Sequence, residues 1–441
     1  MRRLIFLLTV MAAALVLASG VALAAAGVGS AAAKSSVVGP GESIQKAINA
    51  ADPGDTIVVR GVHREDVVIR KDGIKLRGIN DAVIEPPARA DSPCSRAFGP
   101  EAICVLGDVN LETFEVNKRV KDVSVSGFTI RGFEEGGRGG EPVFSIDLIG
   151  TRDATVEDNR TVGNVAGGIV VSGGIDTTVV DNDVIGNPKS AAGGIGVTDS
   201  SLNTKVVKNV VKNYPEGENA IDVLFESTNT TIAGNDLVGN WVGAFIVDAP
   251  ETKILSNDMS RVGNIGTYVE GPKSQDARVV GNDISGGAWG IDVVGTKRGS
   301  IAGNTIHDNC AGMVFEVDAS QPVGDFEVKA NTVENNTRSC RAAQFDINFS
   351  GIGIALLGAS GMEVKANHLS GNVPSGPTPV SGGVVVSTDP FFGGTTKPRN
   401  NSVIGNHFGR NKPDIFWDKS GSGNRFVGNL CNTSMPARLC N

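Results

Sequence analysis

A short phrase ending in asparagine recurs eleven times, at Asn159, Asn182, Asn209, Asn235, Asn257, Asn282, Asn304, Asn331, Asn367, Asn406 and Asn429. Neighbouring copies lie 22–27 residues apart, except for two intervals of 36 and 39. Three positions before each Asn stands Val, Ile or, once, Phe. A period in the twenties, written in β-branched residues and Gly, predicts a β-solenoid. The two long intervals read as insertions into regular coils. A second Asn follows most phrases five residues on, as at Asn164, Asn187, Asn240, Asn309 and Asn336. Then come a Gly and another apolar stretch, as at 168–171, 194–197 and 290–293. Each coil is therefore expected to be strand, Asn turn, Gly, strand. Asn suits such a turn because it tolerates left-handed backbone, and stacked amides can bond to one another.

Composition fits this reading. Of 441 residues, 58 are Gly and only 5% are aromatic, which is enough for a core that is a narrow file of Ile, Val and Leu. The net charge of −8 argues against a nucleic-acid partner, which would need a basic face. Residues 1–33 open on Met1-Arg2-Arg3, run apolar from Leu4 to Leu17 and end in Ala-rich sequence, the pattern of a secretory signal peptide. No later stretch is apolar enough to cross a bilayer, so no transmembrane segment is expected after signal removal. The expected location is secreted, periplasmic or at the cell surface. An exported chain favours disulfides, and Cys94, Cys104, Cys310, Cys340, Cys431 and Cys440 make an even set. Six cysteines allow fifteen pairings. Because solenoid contacts are local, neighbour pairing (94–104, 310–340, 431–440) is expected.

Residues 34–441 read as one solenoid domain. A capping helix is expected over 43–51, with Ser43 as N-cap and Ile44, Ala47, Ile48 and Ala51 on one face. Such a helix would cover the open end of the first coil. Residues 86–120 break the repeat and read as an inserted loop pinned by Cys94 and Cys104. Residues 431–440 read as a stapled C-terminal cap.

The run Gly41–Ile48, then 54–59, 65–69 and 73–78, resembles the opening segment of right-handed parallel β-helix proteins of the pectate-lyase-like superfamily. The Asn–Gly repeats resemble that superfamily's coils. The resemblance covers nearly all of the chain after residue 33. It implies an all-β, single-stranded right-handed parallel β-helix. For activity it implies a choice among polysaccharide lyases, glycoside hydrolases, esterases and epimerases, beside members that are not enzymes. The latter include a periplasmic protein of nitrous-oxide-reductase maturation.

Alternation along the second strand of each coil predicts which side chains face out. Aligning apolar pairs puts Ile221/Val223, Phe245/Val247, Ile291/Val293 and Met313/Phe315 inside. Asp222, Asp248, Glu270, Asp292 and Glu316 then point outward from consecutive coils, with Asp147 at the same parity. Carboxylates on adjacent strands suit acid/base pairing or a shared Ca²⁺. Tyr268, Trp241 and Trp289 would stack on sugar rings, with Lys297 and Arg298 as charge partners. Outward acids are more often simply solvated, and His63, His368 and His407 read as surface or turn residues. Known active-site patterns are absent, and Asp389-Pro390-Phe391 only begins like the Asp-Pro-His of alginate epimerases. The expected role is binding, and as an enzyme cleaving or modifying, an extracellular uronate-type polysaccharide. The alternative is a non-catalytic surface scaffold. A monomer is expected.

Overall fold

The computed structural model describes residues 32–134, 137, 142–190, 192–318, 321–342, 346–389 and 395–440; the signal-peptide expectation for 1–33 lies almost wholly outside them. The Asn-ended phrases form one parallel sheet of 15 strands, and the Gly-led strands form a second of 14. The first sheet is stacked in strict register, Val156 on Val179, Val206, Ile232, Ile254 and onward to Val403 and Phe426. Every member from Val156 to Val403 is at most 1% exposed. One β-branched side chain per coil thus makes a continuous core file, which no coil could bury alone.

Most coils have three strands, not two. Between the paired asparagines lies a short third strand, such as Arg160–Val162, Asp183–Ile185 or Thr305–His307. These stack into two six-stranded sheets joined by isolated bridges through Asp236. The stretch read from sequence as an Asn turn is therefore a third wall of the solenoid.

The ladder asparagines are buried and bond in one direction. Asn282 Nδ2 donates to Asn304 Oδ1 at 2.9 Å and to Ile254 O at 2.9 Å, while its own Oδ1 accepts from Asn257 N and Nδ2. The same pattern runs unbroken from Asn159 to Asn429. The left-handed residue of the turn is the one before each Asn: Asp158 (φ 53°), Lys208 (57°), Gly234 (63°), Ser256 (52°) or Gly303 (64°). Asn is thus required for its amide rather than for its backbone, and Gly occupies five of the eleven preceding positions because it takes that conformation without strain.

The N-terminal helix spans Ile44–Ala50, with the Ser43 side chain accepting from Lys46 N and with Ile44 and Ile48 buried. The Glu65 carboxylate accepts from the free N–H groups of Ile44 and Gln45. Residues 86–120 are not wholly an inserted loop, because Ile103–Leu106 is a fully buried strand of the 14-stranded sheet. His63 is buried rather than at the surface, its ring nitrogens 3.1 Å from Glu42 O and 3.0 Å from Arg60 O. The three disulfides are Cys94–Cys104, Cys310–Cys340 and Cys431–Cys440. The interval of 36 residues carries an antiparallel hairpin, Cys340–Ala342 with Ile347–Phe349, stapled to the solenoid at Cys310.

Asn282→Ala orphans two buried donors of Asn257 and removes the amide donor to Asn304 Oδ1 and Ile254 O, so it should lower unfolding free energy by about 3 kcal/mol. Urea denaturation of this variant beside the exposed Asn348→Ala, expected to stay within about 0.5 kcal/mol of wild type, checks it.

Candidate functional site

The outward face of the 14-stranded sheet carries two files of side chains. One runs Gly196, Asp222, Phe245, Tyr268, Asp292, Val314. The other runs Leu224, Val247, Glu270, Val294, Glu316, Leu357. The strand Val242–Val247 is shifted by one residue from the sequence expectation. Ala244 and Ile246 are fully buried beneath it, so Phe245 and Val247 face out. Asp248 consequently leaves the face. It sits in the turn beyond the strand at φ 49°, its Oδ1 accepting from Lys273 N at 3.2 Å.

Both ends of the face are covered. Phe144, Val170 and Ala192 form a small apolar cluster at one end. At the other, the stapled hairpin packs Phe349 and Ala342 over Val314, Ala355 and Val385. Trp289 belongs to that cover, its ring 4.7 Å from Phe349. Trp241 lies against Gly263. Neither indole therefore lies in the acid-bearing files. The uncovered stretch runs over Asp222, Phe245 and Tyr268, which are partly exposed, and ends at Asp292, which is 4% exposed. Phe245 and Tyr268 stack at 5.0 Å with ring planes 12° apart.

The acids fall into two groups. Asp222 accepts from Asn219 Nδ2 at 2.6 Å, and burial, helped by the Glu218 charge, pushes its carboxyl up to about 7. Three strands on, at roughly 4.8 Å per strand, Asp292 stands about 14 Å away, too far to work as its partner. Asp292 instead lies among Glu270, Glu316 and Asp389. Burial, then the charges of Asp389 and Glu270, push Asp292 up to about 8. Its Oδ1 has no hydrogen-bond partner among the described residues. Burial and the charges of Asp292 and Asp389 likewise raise Glu316 well above the usual carboxylate range. Glu270 is raised by burial and by the charges of Asp318 and Asp248, against a hydrogen bond from the Tyr268 hydroxyl. Asp389, 1% exposed, lies beyond the end of its strand, Gly382–Ser387, where alternation does not assign it to the face.

Lys297 and Arg298 do not meet these acids. They begin a strand of the other long sheet, and Arg298 is held by Asp276 at 3.0 Å and by Gln275. The larger cavities also lie off the face. One of about 580 Å³ is lined by Glu226, Lys273 and Arg298, and one of about 590 Å³ by Pro86, Arg89 and Phe133.

Further along the first file, Asp147 is hydrogen-bonded to Glu101, and both are at most 3% exposed. Burial pushes Asp147 up to about 7 and Glu101 well above its usual range, so this pair holds a proton at neutral pH. Ser92 Oγ donates to Glu101 at 3.2 Å. Sequence parity found Asp147 but not Glu101, which belongs to the 86–120 segment.

With this geometry the comparisons can be read. The family described as periplasmic copper-binding protein (NosD) matches residues 48–271, half of the chain. The chain belongs to this family. The right-handed β-helix region matches residues 219–401, which sets the hand of the coil. No curated protein matches the chain. Among solved structures, the Azotobacter vinelandii mannuronan C-5 epimerase AlgE6 A-module is similar at 16% identity, TM-score 0.53, over 88% of this chain and 93% of that one. A family 28 exopolygalacturonase from Yersinia enterocolitica is similar at 11% identity, TM-score 0.55, over 88% and 78%. At these identities the likeness is one of fold: an all-β right-handed parallel β-helix of the pectate-lyase-like type. The NosD family is described as periplasmic, and three disulfides are compatible with an oxidising compartment.

Copper does not fit the matched segment. Its softer donors are His63, whose ring nitrogens both lie against backbone carbonyls, Cys94 and Cys104, joined to each other, and Met259, fully buried. The one trio of His, Cys, Asp or Glu within 4.8 Å of one another, among the described residues, is Cys94, Glu101 and Cys104, and its sulfurs form a disulfide. The acids of the sheet face therefore do not converge into a Ca²⁺ cage among the described residues.

Asp147, Asp222 and Asp292 titrate near 7–8 when folded against an ordinary 3.8, so between about pH 4 and 8 the folded chain holds more protons than the unfolded one. Stability must then fall as pH rises through that window. Thermal melts should show a higher Tm at pH 5 than at pH 8, and Asp292→Asn, neutral throughout, should narrow the difference without removing it, since Asp147 and Asp222 remain.

Proposed function

We propose that the chain binds a polysaccharide along the uncovered stretch between Asp222 and Asp292, with Asp292 and Glu270 as the acid–base pair of a hydrolytic step. The observation that carries this reading is the environment of Asp292. It is a carboxyl that burial keeps protonated at neutral pH, at the closed end of a face whose middle is an aromatic pair. Asp292 and Glu270 are diagonal neighbours on adjacent strands, a placement that puts such side chains roughly 7–8 Å apart. That matches the separation of about 6.5–9.5 Å that leaves room for a water in inverting glycoside hydrolysis. Asp292 would protonate the leaving oxygen. Glu270, oriented by the Tyr268 hydroxyl, would take the proton from the attacking water. The rings of Phe245 and Tyr268 would pack against sugar faces.

The chemistry of the face narrows the substrate. Lyase or epimerase action on a uronate removes a proton beside a carboxylate and needs a cation to hold the resulting charge. The acids here neighbour other acids, Arg298 is held by Asp276, and Lys297 begins a strand of the other long sheet. A neutral glycan is therefore the better fit than a uronate. The family match favours a second reading, a non-catalytic periplasmic binding protein.

Incubation with a panel of neutral and uronate polysaccharides, with product chromatography and binding measured in parallel, separates these readings. Turnover of a neutral glycan that drops about 100-fold or more in Asp292→Asn and Glu270→Gln supports the acid–base pair. Binding without turnover leaves a recognition surface. Absence of binding across the panel overturns the carbohydrate reading.

A further inference from the structure

We propose that His368 and His407 form a two-imidazole site for a divalent transition ion of the Zn²⁺, Cu²⁺ or Ni²⁺ class. The pair lies outside the segment matched by the copper-binding family and is independent of the acid-bearing face. The two residues are directly opposite each other on adjacent parallel strands, His368–Ser370 and His407–Gly409. Both side chains are exposed, on the outer surface of the third wall. Their Nδ1 atoms are 3.3 Å apart, with ring centroids at 5.1 Å. Two nitrogens each about 2.0–2.1 Å from a tetrahedral ion stand about 3.3–3.4 Å from one another. Hydrogen-bonded to each other, the two rings already stand at that spacing, and an ion would replace the proton they share.

The backbone holds this spacing in place. His368 N donates to Asn331 O and His407 N to Asn367 O, both at 2.8 Å, so each histidine is bonded to the residue that carries the asparagine ladder. Leu369 and Phe408, the next residues, are buried and anchor the two strands from below. The backbone positions of the two donors are thus set by the same stacking that builds the solenoid.

The remaining histidines differ. His307 has both ring nitrogens against carboxylates, Asp308 at 2.7 Å and Asp283 at 3.2 Å. His63 is buried against carbonyls. Imidazole nitrogen favours first-row transition ions over Ca²⁺ or Mg²⁺, and among them Cu²⁺ binds tightest. Two protein ligands leave the other coordination positions to water or to a donor from another molecule.

Isothermal titration calorimetry on the untagged, EDTA-treated full chain tests this, with ZnCl₂, CuSO₄ and CaCl₂ in separate runs. The expected result is one Zn²⁺ or Cu²⁺ per chain, no comparable Ca²⁺ binding, and loss of the site in both His368→Ala and His407→Gln. Far-UV circular dichroism should be unchanged in both variants. With Cu²⁺, electron paramagnetic resonance should show nitrogen hyperfine coupling that disappears in the variants. Absence of binding to wild type overturns the proposal. So does binding that survives the double substitution, since the ion would then sit elsewhere.

Discussion

The stacking of one buried asparagine on the next is the interaction on which the rest of this protein depends. Each ladder amide bonds forward to the next coil and back to the main chain of the previous one, with almost no water available to substitute. A polar group this deeply buried is costly unless bonded. The cost is met only when adjacent coils keep the same register, so the ladder specifies register as well as contributing stability. The β-branched file beside it repeats the constraint in apolar form. A slip of one residue would turn Val156, Val179 and their successors out of the core.

Function is built on what the ladder leaves free. With the interior committed to repetition, variation is confined to outward positions and to the two long intervals. One insertion supplies the hairpin stapled by Cys310–Cys340, which covers the sheet face from Val314 onward and takes up Trp289. The stretch after Gly382–Ser387, in the other, brings in Asp389. These additions turn a flat row of carboxylates into a partly closed one. Burial, rather than any single neighbour, is the largest cause of the raised carboxyls at Asp222, Asp292 and Glu316. Acids left outside the cover behave in the opposite way: Glu85, Asp276 and Glu327, paired with Arg or Lys, are held below their ordinary values.

The exposed third wall follows the same logic with a different outcome. There the repeat places identical side chains, His368 and His407, one strand spacing apart. Strict register makes any residue type that recurs at one coil position into a contact pair. On the inside that produces ladders, and on the outside it produces paired donors.

The repeat, the neighbour disulfides and the outward placement of Asp222, Glu270, Asp292 and Glu316 were legible in the amino-acid order, because a solenoid turns sequence period directly into spatial stacking. Parity failed at 242–247, where apolar residues occupy both faces and only the register with Ile221 and Thr267 decides that Phe245 points out. It failed again at Asp248, where a turn ends the alternation, and the expected charge partners Lys297 and Arg298 belong to the other long sheet. Glu101 and Asp389 could not be placed at all, since insertions bring them to their partners from outside the repeat. Sequence alone thus determined the solenoid and the files of its side chains, which depend on local period. Tertiary structure decided which carboxyls are covered and which cations stay away, because burial and charge proximity across insertions depend on contacts that no period encodes.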